Sequence, residues 1–283
     1  MAQRPNVRTL FISDLHLGTP DAQAELLLHL LRRVRPERLY LVGDVFDLIV
    51  MKRRAISVFD GQQQRLLRHV LRLARTGCEV IYIPGNHDAA MRTFCGERFR
   101  SVEVMRDAVH VTRDGRRLLI SHGDEFDGHY KAPKWKLVVG EIALHSMRRA
   151  NRWTVHARRR LGRPYWSLSA ALKRRSTSVK QFADAFRRSA LERAHREGVD
   201  GYVGGHIHIP WFGLSEGVVY CNDGDWVENC TALVEEFDGR LRLVDWTNTT
   251  LVDDPQPPSG EREKTEMESW LADAEEPGGE ERG

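Results

Sequence analysis

No stretch of this chain approaches the roughly 18 consecutive apolar residues that a membrane-spanning helix needs, so a transmembrane protein is not expected. The first eight residues hold no apolar signal core, and the run Leu10-Phe11-Ile12 leads directly into a charged motif; an exported protein is not expected either. Cysteine is scarce. The four present (Cys78, Cys95, Cys221, Cys230) form no close pair of the kind that makes a zinc knuckle or a dithiol couple. Reduced thiols, several of them buried, and residence in the cytosol are the expectation. No internal repeat is present, which excludes a solenoid.

What is present is a globular composition, 41% hydrophobic and 29% charged over 283 residues, enough for one sizeable core or a core with a large insertion. The net charge of +3 conceals an asymmetry. Residues 253–283 carry 11 acidic and 3 basic side chains, whereas residues 129–197 carry 18 Lys and Arg against 4 Asp and Glu. The basic segment must face something anionic or be well solvated. Its densest part holds Arg148, Arg149, Arg152, Arg158, Arg159, Arg160 and Arg163. Guanidinium forks suit phosphate oxygens or anionic headgroups, and a solvated helix face is the plainer reading of the same run.

Short apolar runs at Val7–Ile12, Arg38–Val42 and Glu79–Ile83 alternate with helical patterns at Asp21–Arg35 and Gly61–Thr76. This is βαβ organisation, a sheet with helices against it. Val109–Thr112 and Arg117–Ser121 flank an Asp-Gly hairpin signal, and short β runs recur after Gly201, the last two joined at Asp238-Gly239. The pattern predicts an α/β fold of two sheets packed face to face with helices outside. Residues 1–127 and 199–252 form the expected core. Residues 128–198, with helical spacing at Trp135–Met147 and Val179–Leu191, form the expected basic helical cap. Residues 253–283, rich in Pro, Gly and Glu, are expected to be a disordered acidic tail, with a weak helical pattern at Glu266–Ala274.

Five clusters carry chemistry: Asp14-Leu15-His16, Gly43-Asp44-Val45-Phe46-Asp47, Gly85-Asn86-His87-Asp88, Ser121-His122-Gly123-Asp124 and Gly204-Gly205-His206-Ile207-His208. Each follows an apolar run, the expected place for a site in an α/β sheet. Two divalent cations about 3.5–4 Å apart can bind a phosphoryl group and activate water. Such a pair needs a bridging carboxylate, and imidazoles among its ligands favour Mn, Fe, Co or Zn over Mg or Ca. Asp14 and His16, and likewise His206 and His208, are two residues apart and share a face in extended backbone.

The ordered set D-x-H, G-D-x-x-D, G-N-H-D, isolated His and G-H-x-H resembles the calcineurin-like metallophosphoesterase superfamily across most of residues 7–246. The resemblance implies a four-layer sandwich of two mixed β-sheets flanked by helices, with an inserted cap. It implies one cation held by Asp14, His16, Asp44 and His208, and a second by Asp44, Asn86, His122 and His206, with Mn2+ the expected ion. His87 corresponds to the family histidine beside the leaving-group oxygen, and Asp47 and Asp88 to groups that orient histidines and backbone donors.

Phe11–Gly18, Gly43–Asp47, Ser121–Asp124 and the helical insertion before Gly204 are similar to the UDP-2,3-diacylglucosamine pyrophosphohydrolase group of lipid A biosynthesis. That likeness implies cleavage of a pyrophosphate to UMP and a lipid monophosphate. It also implies an anionic glycolipid substrate and peripheral contact with the cytoplasmic face of an inner membrane. One position departs: the well-studied branch has Arg where this chain has His87, and the longer strings His122–Asp127 and Cys221–Glu228 resemble a sister branch.

His29, His69, His145, His156 and His195 lie in helical or basic runs and are expected on the surface; His110 has no assigned place. His129, Asn222 and Asp225 sit just beyond site clusters and are expected, with Arg148, Arg149 and Arg152, to approach the substrate. Two other classes fit the same residues. One is a phosphodiesterase or nuclease with the basic cap on a nucleic-acid backbone. The other is a non-catalytic scaffold, which the intact set of ligand residues opposes.

Overall fold

The computed structural model describes residues 6–54, 59–129, 150–158, 160–163, 165–248 and 250–255. The chain begins with β1 (Asn6–Ile12), α1 (Ala24–Arg33), β2 (Arg35–Val42), α2 (Leu48–Arg54), α3 (Gly61–Arg75) and β3 (Glu79–Ile83). Then come β4 (Arg98–Phe99), β5 (Val102–Val104), β6 (Ala108–Val111) and β7 (Arg117–Ile120), and a short 3-10 helix, Asp124–His129. Helix α4 (150–158), α5 (Leu168–Arg175) and α6 (Thr177–Glu197) precede β8 (Gly201–Gly204), β9 (Trp211–Ser215) and β10 (Val218–Asn222). The last strands are β11 (Thr231–Glu235), β12 (Leu241–Asp245) and β13 (Thr250–Asp253).

These strands form two mixed sheets, ordered β13-β12-β11-β1-β2-β3-β5-β4 and β6-β7-β8-β10-β9. In the first, β1, β2, β3 and β5 are parallel; in the second, β7, β8 and β10 are. The layering follows from period-2 alternation. Leu10, Ile12, Leu39, Leu41, Val80 and Tyr82 point to one face of the first sheet, where Leu27, Leu30 and Leu31 of α1 and Leu66 and Val70 of α3 cover them. The residues between them (Phe11, Tyr40, Val42, Ile81, Ile83) meet Leu118, Ile120, Val203, Val219 and Cys221 of the second sheet. The outer face of the second sheet, Leu119, Tyr202, Val218 and Tyr220, packs on Phe186, Ala190 and Leu191 of α6. Three apolar layers therefore separate four layers of structure, the expected sandwich.

Helix ends match local chemistry. Asp60 caps α3 by accepting from the Gln62 and Gln63 amides, both 2.8 Å, and α6 ends at Gly198 in the left-handed region (φ 62°). No helix among the described residues is long and apolar enough to cross a membrane.

The expected boundary of the tail moves. Asp253 ends β13, which pairs with β12, and Asp254 is buried, accepting from Arg116 and from the Leu241 amide at 3.0 Å. Asp253 faces Arg242 at 3.4 Å, and Asp254 pairs with Arg116 of the β6–β7 turn at 2.7 Å. The pattern at Trp135–Met147, His145, and the helix expected at Glu266–Ala274 lie outside the described residues. His69, expected on the surface, is buried, its Nε2 3.0 Å from the Leu31 carbonyl, tying α3 to α1. His110 is buried as well, 2.7 Å from Glu235.

Candidate metal centre

Each site cluster leaves the C-terminal end of a strand belonging to the parallel part of a sheet: β1, β2, β3, β7 and β8. Facing sheets bring these ends to one edge. Asp14, His16, Asp44, His206 and His208 all adopt positive φ, between 46° and 69°. For residues with a Cβ this is uncommon, and its concentration on five site side chains marks strain held at a functional locus. The loops are zipped by backbone bonds, Asp14 N to Gly43 O at 3.1 Å and His16 N to Asp44 O at 2.8 Å. Glycine is required where loops touch: a Cβ on Gly85 would overlap Asp44 Oδ1 and sit 2.7 Å from the Asp44 nitrogen.

Both central carboxylates divide their oxygens between support and centre. Asp44 Oδ1 accepts from the His87 amide at 2.7 Å, and Oδ2 faces Nε2 of His122 (3.5 Å), His16 (3.7 Å) and His87 (4.0 Å). Asp14 Oδ2 accepts from the His206 amide at 2.7 Å; its Oδ1, buried and accepting no hydrogen bond, faces Nε2 of His208 at 3.0 Å and of His16 at 3.7 Å. Nε2 of His16 is 3.3 Å from Nε2 of His208, and Nε2 of His122 is 3.2 Å from Asn86 Oδ1. Acceptor oxygens and imidazole nitrogens thus converge without enough donors to pair them, an arrangement a cation completes. Three overlapping groups have ligand atoms mutually within 4.8 Å: Asp14-His16-His208, Asp14-Asp44-His122 and His16-Asp44-His87.

The electrostatics agree. Burial pulls the His16 imidazole down, but the nearby carboxylates of Asp14, Asp47 and Asp44 outweigh it, and its pKa stands at about 10. His122, likewise buried, is raised to about 10 by its bond to Asp44 and the fields of Asp44 and Asp14. The carboxylates call for positive charge, and a divalent cation competes with protons for the same nitrogens. Burial raises Asp88, which accepts from Tyr82 Oη (2.6 Å), Val45 N (2.8 Å) and Gly85 N (2.6 Å) and so ties the second and third clusters together. Asp47 lies 3.2 Å from Nδ1 of His16 and 3.0 Å from Nδ1 of His87, turning both Nε2 atoms inward.

Asp14, His16, Asp44, Asn86, His122 and His208 are brought together, with His87 at the more open side. His206 belongs to none of the three groups, although its ring is 5.1 Å from that of His122. Over the cluster lies a cavity of about 290 Å³ whose lining includes Asn86, His87, His206 and, from the inserted segment, Lys173, Val179 and Phe182. Lys173 is held by Glu228 at 2.7 Å. Its presence was not foreseen, because one lysine in a basic run carries no signal of its own.

Several expected substrate contacts are corrected. Asn222 and Asp225 are fully buried. Asn222 donates to the Gly205 carbonyl, and Asp225 accepts from the Val227 amide at 2.7 Å and from Asn229. They brace the loop carrying His206 and His208 and cannot touch a substrate. Arg152 pairs with Asp21 at 3.2 Å and lines a separate cavity of about 570 Å³ under α4. Arg148 and Arg149 lie outside the described residues, as does the side chain of His129.

A carboxylate–imidazole cluster of this kind, at the strand ends of a two-sheet sandwich, is that of a metal-dependent hydrolase. The profile of the calcineurin-like phosphoesterases matches residues 7–210, and the chain belongs to that family. It is a metal-dependent phosphoesterase. A UDP-2,3-diacylglucosamine hydrolase of Aromatoleum aromaticum is 27% identical over 214 residues, covering 71% of this chain and 80% of the relative. A protein of the same name from Histophilus somni is 30% identical over 123 residues, 41% of this chain and 49% of that relative's length. Among solved structures, the phosphoesterase Yfce of E. coli is similar over 86% of this chain and 96% of its own, at 14% identity and a TM-score of 0.45.

Proposed function

We propose that this phosphoesterase hydrolyses the pyrophosphate of a nucleotide-linked diacyl sugar, UDP-2,3-diacylglucosamine, to UMP and a lipid monophosphate. The observation that carries the reading is the cavity above the cluster, which joins one ammonium, Lys173, to apolar Val179, Phe182 and Ile207. A substrate that is anionic at the reacting centre and lipidic beside it suits such a lining. The names of the matched relatives support the same choice. We assign one cation to Asp14, His16, Asp44 and His208, and the other to Asp44, Asn86, His122 and His206. Bound there, Mn2+ or a related ion supplies Lewis acidity and a water acidic enough to attack phosphorus.

The chain's own residues do the rest. His87 keeps Nδ1 beside Asp47 and turns Nε2 to the cavity, where it is placed to protonate the departing phosphate oxygen. Asp47 holds that orientation. Lys173, paired with Glu228, offers a hydrogen-bond donor to phosphate oxygens, and the apolar side chains exclude water. The basic excess of residues 129–197 fits work at an anionic membrane face on the cytoplasmic side.

Turnover with Mn2+ against a panel decides the matter. Release of UMP from UDP-2,3-diacylglucosamine supports the reading. Hydrolysis of aryl phosphodiesters or single-stranded RNA, with none of the glycolipid, refutes it in favour of a phosphodiesterase or nuclease.

A further inference from the structure

The imidazoles around the cluster differ in what their Nε2 atoms face. His16, His122 and His208 each bring Nε2 to the carboxylates or Asn86. Their Nδ1 atoms face Asp47 at 3.2 Å, the Val42 carbonyl at 3.1 Å and Asp225 at 3.8 Å. His206 differs: its Nε2 lies 2.7 Å from Oδ1 of Asp127 in the 3-10 helix Asp124–His129, outside the cluster. A carboxylate accepts only, so in the neutral ring the proton sits on Nε2 and the lone pair on Nδ1. The ring is steadied between His122, at 5.1 Å, and Phe186 of α6, at 6.1 Å, and Phe186 meets Phe126 edge-on at 5.3 Å. The Asp127 side chain is 55% exposed, so it joins no core, and among the described residues its side-chain ion pair is with His206.

We propose that Asp127 is a positioning residue that fixes the tautomer and ring orientation of His206, and thereby sets the affinity of the second cation site. This rests on the ligand assignment above and not on the identity of the substrate. A carboxylate that accepts from a ligand imidazole raises its basicity and holds its free nitrogen in place; removing such a partner typically costs about 10–100-fold in metal affinity. Exposure of Asp127 makes it replaceable without a cavity, unlike Asp47 or Asp88. The element that carries it packs through Phe126 on α6, so the inserted helices bear on the second site through the same 3-10 helix.

The test is a titration of the metal-stripped full-length chain with Mn2+, following free Mn2+ by electron paramagnetic resonance, for wild type, D127A, D127N and H206A. Wild type is expected to bind two ions and H206A one tightly. D127A should keep the tighter site unchanged and weaken the other by about 10–100-fold, and D127N, which retains an acceptor oxygen, should recover part of the loss. A wild-type isotherm for D127A, equal weakening of both sites, or no recovery in D127N overturns the positioning role. Two unchanged sites in H206A overturn the ligand assignment itself, and so separate the two failures. Thermal unfolding of each variant in chelator, expected to match wild type, shows that the fold is intact.

Discussion

Asp44→Asn removes one charge and no volume. Asn keeps an oxygen to accept from the His87 amide, so the loop junction survives. What is lost is the anion whose Oδ2 lies 3.5 Å from His122 Nε2 and 3.7 Å from His16 Nε2, the centre of the cluster. A unit charge acting at about 4 Å through an effective dielectric near 20 is worth ~4 kcal/mol, and each 1.36 kcal/mol is a factor of ten in rate. With Mn2+ at saturation, kcat/KM is therefore expected to fall at least about 10³-fold. The metal-free protein loses the same charge. Burial and the field of Asp14 oppose ionisation of Asp44, but the bond and field of His122 and the field of His16 hold its carboxyl below the ordinary range, so D44N should unfold in chelator at pH 7 below the wild-type temperature. The assays are UMP release from UDP-2,3-diacylglucosamine, Mn2+ content after dialysis, and thermal unfolding with and without chelator. Activity within ten-fold of wild type in D44N, with bound metal unchanged, would refute the assignment of Asp44 as the shared ligand.

Three further outcomes follow from separate features. His87→Asn should lower kcat by about 10²–10⁴-fold while leaving Mn2+ stoichiometry at the wild-type value; loss of a metal ion would make His87 a ligand instead of a proton donor. Gly85→Ala should abolish activity and reduce soluble yield, since the new methyl meets Asp44 backbone as well as side chain, and an active, stable G85A protein would show that the third loop can retreat. Glu235 is buried among donors: Thr9 at 2.7 Å, His110 at 2.7 Å and the Arg113 amide at 2.7 Å. Burial pushes its carboxyl up, but the His110 bond and field, with the Thr9 and Arg113 bonds, leave it below the ordinary glutamate range. A depressed carboxyl stabilises the fold above its unfolded value, about 4.3, and that contribution disappears as pH falls through the folded value. E235Q should be less stable than wild type at pH 7 by about 3 kcal/mol, with the gap closing below about pH 4; urea midpoints from pH 3 to 7 that run parallel would contradict this.

Much of the site was legible along the chain, and the reason is geometric. In a parallel sheet the strand ends are where loops begin, so Asp14, Asp44, Asn86, His122 and His206 could each be placed by the apolar run preceding it. Helices α1 and α3 were equally plain from their 3.6-residue spacing. Short strands without periodic signal were not: β4, β5, β9 and β13 exist because neighbouring edges offer them hydrogen bonds. Asn222 and Asp225 read as polar loop residues open to substrate, and folding buries both under the His206–His208 loop. Nothing local distinguishes a polar residue that braces a turn from one that meets a ligand.

The residues of this chain, taken in order, determined the type of chemistry, the seven side chains to suspect, and the alternation that yields a layered α/β body. Tertiary structure alone decided which oxygen of Asp14 and of Asp44 faces the centre, which nitrogen of each histidine is turned inward, and that Lys173, Phe182 and Asp127 stand beside them. Backbone preference and side-chain periodicity act over a few residues and survive in the text of a sequence. Orientation at the site depends on contacts between distant segments, such as His206 N with Asp14 Oδ2, 192 positions apart, and these exist only once two sheets have packed face to face.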